Sequence, residues 1–289
     1  MRVFLECKVG GREFVDSLRV VLGGLGWEEV GCEFDADLVV RNHAVPRGGG
    51  LSWKRGYING WYYFESGGYS AWSSFNYNGS LSLNYLRKYR LVSRSYIARR
   101  QTKCDQPRVG DFDFLDSSWV FLATQRSDDS VACFTKWDWH VLLYKLYDVV
   151  RGSGVKLAIK RHPGCSDSRV TKQLRRLDSL PNVRVFNANI HHVLQRVGAV
   201  VVSNSGVGFE AGLYGKPVYV LGRSDYESAA IKIGLSDIVD LPRWTDHHRI
   251  NQSYVIGAML SNSLVHVYDY KRIEKILVGF AKKKLGHKF

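Results

Sequence analysis

The sequence predicts an α/β protein of two layered units, each built on a parallel sheet, and three observations carry that expectation. Short apolar runs alternate with segments of helical periodicity along most of the 289 residues, the rhythm of a sheet covered by helices. The runs of the second half (WVFLA, VKLAI, VRVF, AVVV, VYVL) are apolar nearly throughout, as strands buried on both faces must be. At 45% hydrophobic residues, the chain can fill a substantial core and is too apolar for wholesale disorder.

Taken in order, Val3–Glu6 reads as a strand that stops before a Gly10-Gly11 turn. Phe14, Leu18, Val21 and Leu22 then recur at helical spacing. Leu38–Arg41 and Trp61–Phe64 read as further strands. In the second half the strands fall at Trp119–Ala123, Val155–Ile159, Val183–Phe186, Ala199–Val202 and Val218–Leu221. Helical stretches near 135–150, 168–178, 190–197 and 207–214 separate them, and a last helix at 268–285 closes the chain. A loop, QPRVGDFD, places the domain boundary near Gly110, giving units 1–112 and 113–289.

Charge narrows the partners. The 41 Lys and Arg outnumber the 27 Asp and Glu for a net +14, which favours an anionic partner such as a nucleic acid, an acidic glycan or a membrane surface. From Ser66 to Cys104 there is no acid at all. That stretch holds Arg87, Lys88, Arg90, Arg94, Arg99 and Arg100 beside Tyr69 and Trp72, cations for phosphates and rings for unstacked bases. The competing reading makes the rings core residues or sugar platforms. Five scattered cysteines without CxxC spacing exclude a disulfide framework or zinc knuckle and read as reduced, partly buried thiols. No apolar stretch reaches membrane-spanning length, and the N-terminal apolar stretch is too short for a secretion signal. A soluble cytoplasmic protein is expected.

Three strands of the second half end in polar loops. After KLAI come Lys160, Arg161 and His162, with Pro163 stopping the strand. In an open α/β sheet the carboxyl ends of strands line the ligand crevice, so these donors suit a phosphate leaving group. After AVVV come Ser203, Asn204, Ser205 and Gly206, whose N–H and hydroxyl groups meet the positive end of the next helix. Gly206 and Gly208 admit a ligand close to the backbone, and Glu210, in the first turn, suits a ribose diol. Ser205 doubles as an ordinary N-cap. After WVFLA comes Gln125-Arg126-Ser127-Asp128-Asp129-Ser130. Asp35-Ala36-Asp37 is a DxD standing before a strand, and His191-His192 and His247-His248 lack third ligands. The histidines read as surface residues, and no metal is expected.

VFLATQRSDDS, VKLAIKRHPG and VVVSNSGVGFEAGLYGKPVYVLGRSDY, in that order, resemble the capsule-polysaccharide biosynthesis glycosyltransferases, including the Kdo transferases. The resemblance covers residues 117–226 and implies a GT-B-like fold, two Rossmann-like domains facing a cleft. It implies a nucleotide-sugar co-substrate, CMP- or UDP-linked, with no permanently bound cofactor. It assigns Gln125, Asp129, Ser130, Lys160, His162, Ser205, Gly206 and Glu210 to the donor site, with Arg161 at a variable position. GWYYFESGGYS is similar to a segment of bacterial and phage-encoded glycosyltransferases. Glu65, past a strand end, is then a candidate base for the acceptor hydroxyl, with Asp129 the second and His162 at the leaving group.

The function expected is metal-independent sugar transfer to a hydroxyl, with residues 1–112 on the acceptor side. The favoured acceptor is a hydroxymethylated pyrimidine in DNA, flipped into the cleft. The alternatives are a capsule, lipopolysaccharide or other surface glycan, with basic clusters such as Lys282-Lys283-Lys284 seating the enzyme on a membrane, and a non-catalytic nucleic-acid-binding protein.

Overall fold

The structure, a computed structural model, describes residues 1–7, 10–44, 49–74, 112–187, 189–234, 236, 237, 240 and 252–286. Arg87, Lys88, Arg90, Arg94, Arg99 and Arg100 lie outside the described residues, as do Gly110 and the His247-His248 pair. The chain forms two compact units, Met1–Val92 with Gly257–Phe289, and Ser93–Ile256.

In the first unit, β1 (Arg2–Leu5), α1 (Arg12–Gly24), β2 (Glu28–Glu29), β3 (Leu38–Asn42), β4 (Leu51–Arg55) and β5 (Trp61–Glu65) follow in order. Phe14, Val15, Leu18, Val21 and Leu22 form the buried stripe of α1, and Phe14 stacks on Tyr62 of β5 with centroids 4.5 Å apart. The helix enters through Gly11 because a Cβ there would stand 2.0 Å from the Trp53 ring. The indole N–H of Trp53 in turn donates to Glu6 O at 3.2 Å.

The second unit repeats strand and helix with few interruptions: β6 (Trp119–Ala123), α2 (Trp139–Ser153), β7 (Lys156–Lys160), α3 (Ser168–Asp178), β8 (Val183–Phe186), α4 (Ile190–Arg196), β9 (Ala199–Val202), α5 (Gly206–Leu213), β10 (Val218–Val220) and β11 (Ile231–Lys232). The pairings between these strands are parallel, in the order β8-β7-β6-β9-β10-β11. This is the doubly wound arrangement, with the strand order reversing between β6 and β9. All five residues of β6 are buried, as its central place requires. α2 stops where Gly154 turns left-handed at φ 68°.

The C-terminal segment corrects the expected division. α6 (Gln252–Asn262) leads to β12 (Leu264–His266), which pairs antiparallel with β5, and α7 (Tyr270–Leu285) follows. Residues from Gly257 onward therefore belong to the first unit rather than to 113–289. The physical reason is an open sheet edge at β5 and an apolar stripe on α7, where Ile273 and Leu277 join the core of Val3, Phe14 and Tyr62. The first sheet runs β12-β5-β4-β3-β1-β2, parallel from β2 to β4 with β5 and β12 antiparallel at one edge.

Candidate active site

At the carboxyl edge of the second sheet the loops after β6 and β7 are tied together. Thr124 N donates to Lys160 O at 3.0 Å, and His162 N donates to the Thr124 hydroxyl at 3.0 Å. The loop after β9 joins through the Thr135 and Ser203 hydroxyls, which are hydrogen-bonded, and through Asn204 Nδ2, which donates to Val131 O at 2.7 Å. Thr124 stands inside the VFLATQRSDDS run without a role read for it there, and Thr135 lies outside the motifs read from the sequence. The strand order reverses between β6 and β9, and that position is the usual ligand site of such sheets.

A cavity of about 340 Å³ opens there, lined among others by Gln125, Asp129, Ser130, Trp137 and Ser203. Gln125 is 5% exposed, and its Oε1 has no hydrogen-bond partner among the described residues. A buried amide oxygen left so is an acceptor waiting for a donor. Asp129 caps the turn at Ser130–Phe134, accepting from Val131 N at 3.4 Å and from the Ser130 hydroxyl at 3.2 Å. Arg126 is ion-paired with Asp128, and that pairing holds the Asp128 carboxyl below its ordinary range.

His162 accepts from Gly164 N at Nδ1, 3.1 Å away, which leaves the proton on Nε2 of the neutral ring. Burial pushes its pKa down, with the Asp129 charge opposing, so it is a neutral N–H donor at pH 7. Arg161 departs from its expected role. Its guanidinium donates to Asp167 O at 3.2 Å within its own loop, because that carbonyl lies within reach just before α3. Lys160 ends β7 buried.

Ser205 caps α5, accepting from Val207 N at 3.3 Å; Gly206 opens the helix. Two expectations change here. Gly208 makes room for a side chain and not for a ligand: a Cβ would meet the Tyr226 hydroxyl at 2.4 Å. That hydroxyl donates to Ser205 O, holding the loop after β9. Glu210 is the fifth residue of α5, beyond the first turn, and is buried. Its carboxylate stands 4.0 Å from His191 Nε2. His191 is likewise no surface residue: its side chain is 13% exposed, and its Nδ1 shares a hydrogen bond of 2.9 Å with the Tyr214 hydroxyl. None of His162, Ser205 and Glu210 lines the cavity beside Gln125.

Glu65 belongs to the first unit. It pairs with Ser52, Ser52 with Arg41, and the neighbouring Val40 with Leu5. Glu65 is therefore level with the carboxyl ends of β1 and β3, although β5 runs the other way. Ser74 N donates to its Oε2 at 2.9 Å, whereas Oε1 is buried without a partner among the described residues. Burial pushes its pKa above the ordinary carboxyl range, as a general base near neutral pH requires.

Tyr69 is no stacking platform. It is 1% exposed, with the Lys54 ammonium 3.8 Å from its ring centroid and His43 and Trp72 packed around it. Trp72 is half-buried. Asp37 of the DxD secures the start of β1, accepting from Arg2 N at 2.8 Å. Among the described residues no group of three His, Cys, Asp or Glu could hold a metal ion, and no helix is long and apolar enough to cross a membrane. Cys7, Cys32 and Cys133 are exposed free thiols and not partly buried ones; Cys165 is half-buried.

Residues 149–271 match the model of the family described as capsule polysaccharide biosynthesis protein. The match takes in the loops after β7 and β9 and leaves out Gln125–Ser130. Among solved structures, the beta Kdo 2,4 transferase of Thermosulfurimonas dismutans KpsC has a TM-score of 0.59 at 13% identity, over 95% of this chain and 98% of that one. The beta Kdo 2,7 transferase of the same KpsC has a TM-score of 0.56 at 15% identity, over 96% and 98%. No curated protein matches the sequence. At these identities the likeness establishes the fold: the chain has a GT-B-like architecture shared with these Kdo transferases, and its residues 149–271 match the capsule-polysaccharide-biosynthesis model.

Proposed function

We propose that this chain is a glycosyltransferase, taking a sugar from a CMP- or UDP-linked donor at the carboxyl edge of the second sheet and passing it to a hydroxyl of a surface glycan. The observation that carries the reading is the tying together of the loops after β6, β7 and β9 where the strand order reverses. In the reaction the bond from the anomeric carbon to the phosphate oxygen breaks and one to the acceptor oxygen forms. The Nε2–H of neutral His162 and the loop Ser203–Gly206 stabilise the departing phosphate. Glu65 takes the acceptor proton. It is favoured over Asp129 because the latter already caps its own turn, and no metal takes part.

A glycan acceptor is favoured over DNA because the burial of Tyr69 removes a base platform. The net +14 charge keeps hydroxymethylated DNA, and a non-catalytic nucleic-acid binder, as the readings to test against. A thermal-shift screen of CMP, UDP and their sugars should yield a raised melting temperature. Labelled sugar should then pass to an oligosaccharide and not to a hydroxymethyl-pyrimidine duplex. Transfer to the duplex alone restores the DNA reading. Salt-sensitive DNA binding without turnover, unmoved by His162→Ala, leaves the non-catalytic one.

A further inference from the structure

A second cavity, about 290 Å³, lies wholly within the first unit beside Glu65. One wall comes from β4 and β5 through Leu51, Phe64 and Glu65, the other from the returning C-terminal segment through Ser263, Phe280 and Lys283. Its chemistry is that of a sugar site: apolar side chains for the ring face, serine hydroxyls for polar substituents, and one carboxylate oxygen, Glu65 Oε1, buried without a partner among the described residues. The volume stands at the lower end of small-ligand pockets, room for a single sugar residue. The ammonium is the feature that selects. Lys283 lies on an exposed part of α7, so its charge is available to a ligand substituent.

We propose that this cavity seats the terminal residue of the acceptor, a sugar carrying a carboxylate or phosphate, and that Lys283 is the residue that reads the anionic group. The sugar lies against Phe280 with its reacting hydroxyl toward Glu65 Oε1. This rests on the reading of Glu65 as the base.

The test is an NMR titration of the full chain, without nucleotide, with methyl β-glucuronide, glucose 1-phosphate and neutral methyl β-glucoside. The two anionic probes should bind roughly two- to fivefold more tightly than the neutral one, the worth of a solvent-exposed ion pair. Lys283→Ala should erase that preference while Lys282→Ala, outside the cavity lining, keeps it. Phe280→Ala should weaken all three alike. Of the two anions, the one whose preference is lost in Lys283→Ala identifies the acceptor's substituent. Absence of binding by all three, equal binding of the neutral sugar, or an equal effect of Lys282→Ala overturns the proposal. If nucleotides raise the melting temperature and the acidic sugars do not bind, this inference fails alone; if the acidic sugars bind and no nucleotide does, the donor reading fails alone.

Discussion

Replacing Gly208 by alanine sets two effects of opposite sign against each other. Alanine in place of glycine within a helix ordinarily stabilises by about 1 kcal/mol. Here the new methyl would lie 2.4 Å from the Tyr226 hydroxyl and 2.7 Å from two of its ring carbons. Tyr226 is 3% exposed and cannot swing into solvent. Overpacking of this kind costs about 1–3 kcal/mol, and displacing the hydroxyl forfeits its bond to Ser205 O, worth about 1 kcal/mol more. The net is a loss of about 1–3 kcal/mol, or a fall in melting temperature of roughly 2–12 °C for a unit of this size. Because Ser205 lies in the loop assigned to the donor, nucleotide affinity should fall with it. Urea unfolding of Gly208→Ala, Tyr226→Phe and the double variant measures the coupling; the glycine change should cost less once the hydroxyl is gone. A Gly208→Ala protein as stable as the parent, or more so, refutes the close approach.

Four further outcomes follow from the same geometry. His162→Ala should lower transfer by about 100- to 1000-fold, as loss of a donor to a developing anion does, with folding retained by circular dichroism. Acid should destabilise the parent: His162 is held below its unfolded value of 6.5, so its contribution is full above pH 6.5 and is lost as pH falls through the folded pKa. His162→Gln flattens that part of the stability profile. Glu65→Gln should abolish measurable transfer yet melt no lower than the parent at pH 8. The raised carboxyl pKa means that ionising Glu65 opposes folding, a penalty that grows as pH climbs above 4.5 and that glutamine lacks. Thr124→Val leaves the part-buried His162 N–H without its acceptor and should cost about 1 kcal/mol in urea unfolding.

The second unit was legible because its strands are covered on both faces. Trp119–Ala123 and Ala199–Val202, buried throughout, begin and end where the apolar runs do, and a buried parallel strand has no polar alternation to blur its limits. β4 escaped because LSWKR offers two large apolar residues in five between glycines, and β12 because three residues make no pattern. The return of the C-terminal segment has no local signal at all; it follows from the open edge of β5 meeting β12. At the site, the order of the loops could be read because strand ends share one edge. The orientation of single side chains could not. Gly208 looks like a phosphate glycine until Tyr226, eighteen residues on, is found against it, and Glu210 like a first-turn residue until it is found buried at the fifth position of α5. Thr124 and Thr135 carry the ties between loops through hydroxyls to which the sequence reading gives no role.

The distribution of charge argues for how the leaving group is held. The excess of cations over the whole chain is not concentrated at the donor cavity. There Arg126 is neutralised by Asp128, Asp129 and Asp138 line the wall, Arg161 is turned to Asp167, and burial keeps His162 uncharged. Beside the buried Lys160 at the end of β7, stabilisation of a phosphate then draws on dipoles: the imidazole N–H, serine hydroxyls and the first turn of α5. Fixed dipoles in a partly buried site are screened far less by salt than exposed ion pairs are. Nucleotide affinity should therefore change only a few-fold between 50 and 500 mM salt, roughly a threefold shortening of the screening length, whereas an anion read by exposed Lys283 should lose most of its preference over the same range. Calorimetric titration of CMP and UDP at both salts checks the first. A steep decline there would mean that mobile cations, and not the loop dipoles, hold the phosphate, and the assignment of His162 as a neutral donor would fall with it.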